Sequence, residues 1–171
     1  LPGVVLSPLP PDHADALAQV VGPPVVVSRA NYKAARGLGG LSHGALPQRW
    51  PRGFDPELVD LMPDGGPFAA SHPLTSDGRL LLVSTPGHMA GHMSLVVRGD
   101  EATYLLTGDA TYSQEALLAG RVDVFGHAVD AARDSLRALD AFARVERAVV
   151  LPSHDEHSVR RCTQRELYPA T

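Results

Sequence analysis

The side chains able to grip a cation or move a proton are concentrated in four short segments. They read Ser7-Pro8-Leu9-Pro10-Pro11-Asp12-His13, Thr85-Pro86-Gly87-His88-Met89-Ala90-Gly91-His92, Thr107-Gly108-Asp109-Ala110-Thr111-Tyr112 and Pro152-Ser153-His154-Asp155. Imidazole and carboxylate together suit Zn²⁺, and also Fe or Mn. An ion held by such a set acidifies its bound water and so supplies a hydrolytic nucleophile.

Scattered donors act together only if the backbone delivers them to one place. Hydrophobic periodicity and turn residues predict strands at Val4–Ser7, Val25–Ser28, Phe68–His72, Arg79–Thr85, Ser94–Arg98, Thr103–Leu106 and Arg147–Leu151. Helices are expected at Asp12–Val21, Ala30–Arg36, Ser113–Ala119 with Ser113 as its cap, Asp130–Val145 and His157–Leu167, with one further helical turn over Glu57–Met62. Leu41–Pro56, with Pro47, Trp50, Pro51 and Gly53, reads as a long irregular binding loop or lid. Every donor segment follows a predicted strand, and packed sheets can bring such turns to one rim. The order of strand clusters and helices indicates an α/β layered fold in a single domain over residues 1–171.

Composition excludes several function classes. A net charge of −4 without a basic block argues against a nucleic-acid partner. No apolar run approaches the roughly 20 residues of a membrane helix. The lone cysteine, Cys162, has no internal disulfide partner, which fits a reducing, cytoplasmic setting. On the last helix it reads as an inert, partly buried thiol.

The four segments, in this order, resemble the signature of metallo-β-lactamase-fold hydrolases. The first resembles their H-x-H-x-D-H motif and the second their T-P-G-H-T-P-G-H turn. The third resembles their strand-end aspartate and the fourth their final histidine. Asp109-Ala110-Thr111-Tyr112 is similar to the D-A-S-Y turn of the acyl-homoserine-lactone lactonase branch, and Arg29-Ala30-Asn31-Tyr32 resembles the strand–helix stretch that follows the first motif there. The resemblance implies an αββα four-layer sandwich and metal ligation by Asp12, His13, His88, Asp109 and His154. It implies hydrolysis of a small-molecule lactone or ester, acyl-homoserine lactones and hence quorum quenching included. Asp12 would later protonate the leaving alkoxide, and Tyr112 would steady the carbonyl oxygen. His92 is expected to be structural, bonding within its own turn.

The chain departs from that pattern in two ways. The two leading histidines of the first motif fall at Pro8 and Pro10, and proline has no side-chain donor. The first metal position then keeps only His88 and a share of Asp109, too few for a tight zinc site. The second keeps Asp12, His13, Asp109 and His154, so one Zn²⁺ is expected rather than two, with weakened hydrolysis. Secondly, almost nothing precedes the first motif. The sequence is expected to be an N-terminally truncated form, the C-terminal two-thirds of the fold, with a homodimer or a second chain covering the missing strands. The alternative function is a catalytically degenerate member serving as a binding or scaffolding module.

The remaining candidates have plainer readings. His43, His72, His127 and His157 carry no motif and read as surface or capping residues. Asp155 reads either as a partner that orients an imidazole or as an exposed turn residue. Trp50 and Phe54 read as loop packing, or as an apolar wall for an acyl chain.

Overall fold

In the computed structural model, residues 3–7, 9, 23–37, 47–122 and 128–169 are described. The expected helix at Asp12–Val21, the first part of the long loop, and the donors Asp12 and His13 with Pro8 and Pro10 lie outside them. So do His43 and His127.

Two sheets are stacked. The first contains β1 (Val4–Leu6), β2 (Val25–Ser28) and β3 (Glu57–Val59), all parallel and in that order. The second contains β4 (Ser71–Pro73), β5 (Leu80–Ser84), β6 (Met93–Arg98), β7 (Thr103–Gly108) and β8 (Val149–Pro152) in sequential order. It is antiparallel as far as β7, and β8 lies parallel to β7.

Strand alternation divides the apolar residues between the two faces of each sheet. Val26, Val59, Leu82 and Met93 fill the space between the sheets. On its outer face the first sheet packs Val27 and Leu6 with Ala35 of α1 (Arg29–Arg36), Met89 and Leu9. The second sheet packs Val83, Val96, Leu105 and Val150 against Leu136, Leu139 and Phe142 of α3 (Val129–Val145) and Leu117 of α2 (Gln114–Leu118). Helix α4 (Ser158–Gln164) follows β8. The layer order is therefore the expected αββα sandwich. No helix among the described residues is long and apolar enough to cross a membrane.

Most predicted elements are present within a residue or two. The last helix ends at Gln164 rather than Leu167, and within Glu57–Met62 the residues Glu57–Val59 form a strand rather than a helical turn: Leu58 pairs with Val27 in parallel register. A run this short carries no decisive period, and the neighbouring strand settles its conformation. The first strand of the second sheet begins at Ser71 rather than Phe68, whose ring is buried against Phe142. Cys162 is exposed, not partly buried, because it lies on the outward side of α4 while Arg161 takes the inward one.

Topology brings three donor turns to one rim. Antiparallel pairing puts the end of β5, the start of β6 and the end of β7 side by side, and the parallel β8 ends beside β7 with Gly108 opposite Pro152. A register shift between Leu106 and Gly108 bends β7 there, a common device next to functional sites. Strand β1 reaches the same rim, since a Cβ on Gly108 would stand 2.6 Å from Ser7 Oγ. Gly108 also has φ +55, so both crowding and backbone conformation call for glycine.

Candidate functional site

Asp109 is the centre of the rim. Its side chain is only 2% exposed, and each carboxylate oxygen faces a different imidazole. His88 Nε2 lies 3.5 Å from Oδ2, and His154 Nε2 lies 3.3 Å from Oδ1. The Tyr112 ring stands edge-to-face with both imidazoles, at centroid distances of 5.2 Å from His154 and 6.3 Å from His88. Thus the structure brings together four of the six residues singled out from sequence, while Asp12 and His13 lie outside the described residues.

The backbone of Asp109 is set by His92. The Asp109 N–H donates to His92 Nε2 at 3.2 Å, so that nitrogen is the acceptor. The imidazole proton therefore sits on Nδ1, which donates to the Thr85 carbonyl at 3.0 Å. Thr85 Oγ1 and Ser94 Oγ continue the network, and the Ser94 hydroxyl donates to the Thr107 carbonyl. His92 is fully buried and staples the second donor turn to the third. This is the structural role expected of it.

The turn that carries His88 is gripped from both outer layers. From α1, Ser28 Oγ donates to the Gly91 carbonyl at 2.7 Å while capping the helix through the Asn31 N–H, and Asn31 Nδ2 donates to the Ala90 carbonyl at 3.0 Å. From α3, Ser135 Oγ donates to the Pro86 carbonyl at 2.6 Å. Two glycines allow this approach. A Cβ on Gly91 would fall 2.4 Å from the Asn31 nitrogen, and one on Gly87 would fall 2.6 Å from Ala132 Cα.

Asp155 corrects the reading from sequence. It is not an exposed turn residue, and the hydrogen bonds of its carboxylate go elsewhere than to an imidazole. Oδ2 accepts from the Gln114 N–H at 2.9 Å and from Arg161 Nη1 at 2.6 Å, and Oδ1 accepts from the His157 N–H at 2.9 Å. Burial acts to raise its pKa, but these donors and the guanidinium charge outweigh it and hold the carboxyl below the ordinary aspartate value. His157 and His72 are partly exposed, near Glu156 and the Asp60 carbonyl respectively, as their plain readings expected. Trp50 stacks on Tyr32 and meets Phe54 edge-on in the cluster outside the first sheet.

Ser28, Asn31, Ser135 and Arg161 were not among the residues singled out as functional. A serine directly before a helix is a readable cap signal, and Asn31 lay within the lactonase-like stretch. Nothing in the local sequence announces Ser135 or Arg161, because their partners are distant in the chain or off any regular period.

Whether these donors suit a divalent ion is decided by geometry. Two ligands at 2.0–2.1 Å on a tetrahedral ion lie roughly 3.3–3.4 Å apart. The His88–Asp109 and His154–Asp109 separations are close to that spacing, but they involve different oxygens. No group of three or more His, Cys, Asp or Glu side chains among the described residues is arranged to hold an ion. The described residues therefore bring two imidazoles to one carboxylate, short of the donors that an ion site requires.

Comparison with known proteins agrees with this architecture. The profile of the Metallo-beta-lactamase superfamily matches residues 10–154. An N-acyl homoserine lactonase of a Bacillus species is 27% identical over 160 residues, covering 93% of this chain and 58% of the relative. The N-acyl homoserine lactonase AttM of Rhizobium radiobacter is 30% identical over 157 residues, covering 89% and 57% respectively. A probable metallo-hydrolase of Mycobacterium tuberculosis is 31% identical over 118 residues, covering 67% of this chain and 38% of the relative. The chain thus spans little more than half the length of the lactonases it matches. Among solved structures, an N-acyl homoserine lactone hydrolase with N-hexanoyl-L-homoserine at its catalytic metal centre superimposes with a TM-score of 0.74 at 23% identity, covering 95% of this chain and 59% of that one. With the layer order, the rim of donor turns and a profile match across most of its length, the chain belongs to the metallo-beta-lactamase superfamily.

Proposed function

We propose that the chain is the ligand-bearing part of a metal-dependent hydrolase of lactone or ester bonds, with acyl-homoserine lactones as its substrate class. The observation that carries this reading is the row His88–Asp109–His154, in which one buried carboxylate presents each of its oxygens to a different imidazole. The likeness to two N-acyl homoserine lactonases over about nine-tenths of the chain supports the substrate class.

Asp12 and His13 would join Asp109 and His154 as a full set for one zinc-type ion. The motif positions that would complete the other set are Pro8 and Pro10, which have no side-chain donor, so His88 and a share of Asp109 are left with too few companions. A bound ion supplies a Lewis acid and a water acidified toward neutral pH. The chain's own residues do the rest. Asp109 fixes the two imidazoles about one carboxylate, and Tyr112 donates a hydrogen bond to the substrate carbonyl oxygen. Asp12 passes a proton to the departing alkoxide. Residues 1–171 act as one domain in this reading, in a cytoplasmic setting. Its partners in this reading are the small-molecule substrate and a second copy or another chain.

Elemental analysis of protein grown in zinc-supplemented medium is expected to find about one ion per chain. Finding none would remove the metal claim. Hydrolysis is then assayed on a panel of lactones and simple esters. The two prolines favour a second reading, that of a degenerate member kept for binding. Activity that appears only after Pro8→His with Pro10→His would show a competent scaffold with a disabled site, as that second reading requires.

A further inference from the structure

The Asp155 carboxylate lies at the crossing of three elements. Its side chain is 3% exposed and that of its partner Arg161 is 2% exposed, and they meet at 2.6 Å. The Gln114 N–H that completes the contact comes from the start of α2, 41 positions earlier in the chain. A second guanidinium nitrogen of Arg161 reaches Glu115 Oε1 at 3.4 Å, also on α2. The pair thus ties the turn after β8 to the turn after β7.

Those turns carry the two rings that face each other across the rim. His154 immediately precedes Asp155, and Tyr112 lies two residues before Gln114. Thr111, just before Tyr112, donates its Oγ1–H across that residue to the Ser113 carbonyl, and Ser113 Oγ caps α2 by accepting from the Ala116 N–H. The segment from Tyr112 to Gln114 is therefore braced at both ends. A buried ion pair adds little net stability compared with an apolar replacement, so its specific value lies in fixing geometry.

We propose that Asp155 and Arg161 are positioning residues, a clamp that sets the Tyr112 phenol and the His154 imidazole relative to one another. The inference rests on the reading above, in which those two side chains serve one substrate site. Neither member of the clamp touches the reacting atoms.

Gln114→Pro tests the link directly, because the proline Cδ takes the place of the N–H hydrogen and forces the Asp155 carboxylate away from α2. Position 114 is the first residue of α2, where proline is well tolerated, and Ser113 already has the extended φ −152 and ψ 160 that a following proline prefers. The substitution removes the one N–H that links α2 to Asp155. The probe is Co²⁺ added to the full chain, together with side-chain NMR resonances of His154, Tyr112 and His88. We expect an unchanged circular-dichroism spectrum, about a 10-fold weaker Co²⁺ affinity, and displaced His154 and Tyr112 resonances beside an unmoved His88. Arg161→Lys keeps the charge but loses the planar fork, and is expected to displace the same two rings by less. Should both variants leave Co²⁺ affinity and all three sets of resonances at their wild-type values, the clamp has no positioning role. If the wild-type chain takes up no Co²⁺, the metal reading fails separately, and the ring resonances alone decide the clamp. If Gln114→Pro does not fold, the Arg161→Lys resonances decide it.

Discussion

His88 and His154 both meet the Asp109 carboxylate, at 3.5 and 3.3 Å, yet the turns that carry them are secured in different ways. The His88 turn is held by neutral groups. Hydroxyls of Ser28 and Ser135 and the amide of Asn31 take up its carbonyls, and two glycines let α1 and α3 approach. The His154 turn is gathered on a charged hub, Asp155, which collects two backbone N–H groups and a guanidinium, beside the Ser158 hydroxyl on the Pro152 carbonyl and the Ser153 N–H on the Gly108 carbonyl. The first arrangement spreads the restraint over many weak contacts and leaves the His88 side chain 18% exposed. The second concentrates it in one strong node and leaves the His154 side chain 46% exposed. A turn on an edge strand has fewer neighbours to share the work, so a single charge-assisted group substitutes for them.

If that contrast is right, the largest loss follows from removing one member of the hub. Arg161→Met strands a buried carboxylate without its cation, at a cost of about 3–5 kcal/mol. Urea unfolding would measure it. A loss no greater than that of a single neutral contact would erase the distinction between the two turns. Next comes Gly91→Ala, where φ is +70 and the new methyl would fall 2.4 Å from the Asn31 nitrogen. Left-handed strain and overpacking together make about 3 kcal/mol, and the loss should be insensitive to salt. Ser28→Ala should cost less, about 1–2 kcal/mol, because it removes one cap and one hydrogen bond from a turn that keeps its other supports. A cost matching that of Arg161→Met would show that the neutral turn also has a single point of failure.

The same contrast explains what could be read in advance. His88, Asp109 and His154 were legible because each lies just past a strand whose apolar pattern is strong, and strand order alone carries those ends to one rim. That Pro8 and Pro10 bring no side-chain donor is equally legible, since it follows from the chemistry of proline. Asp155 was not, because its partner stands six positions ahead on a short helix and its other donors are main-chain N–H groups with no sequence signature. Glu57–Val59 was misread for a related reason: its conformation comes from β2, not from its own three residues. Neutral and charged restraints alike are tertiary facts, whereas the placing of donor side chains at strand ends is nearly a local one.

The smallest predicted effect separates global stability from rim geometry. Tyr168 and Asp140 form a second charge-assisted contact, partly buried, with the phenol donating to Oδ1 at 2.7 Å and Arg144 Nε donating to Oδ2 at 2.9 Å. The contact lies behind the second sheet, against α3, and touches neither donor turn. Burial, the hydrogen bond to Asp140 and that carboxylate's charge push the Tyr168 phenol well above its ordinary value. Burial opposes ionisation of Asp140, but Arg144 and Tyr168 hold its carboxyl below the ordinary range. The signs then follow from linkage. The aspartate's contribution is present above about pH 4 and fades as the pH falls through its depressed pKa. The phenol's contribution is complete below about pH 10 and is lost as the pH rises beyond it, because the unfolded chain ionises first. Tyr168→Phe should cost about 1 kcal/mol near neutrality. It should also flatten the decline of the urea midpoint between roughly pH 9 and 11, and leave the His154 and Tyr112 resonances in place. If those rings move, restraint in this fold is shared across the whole second sheet, and the division between a neutral turn and a charged one loses its meaning.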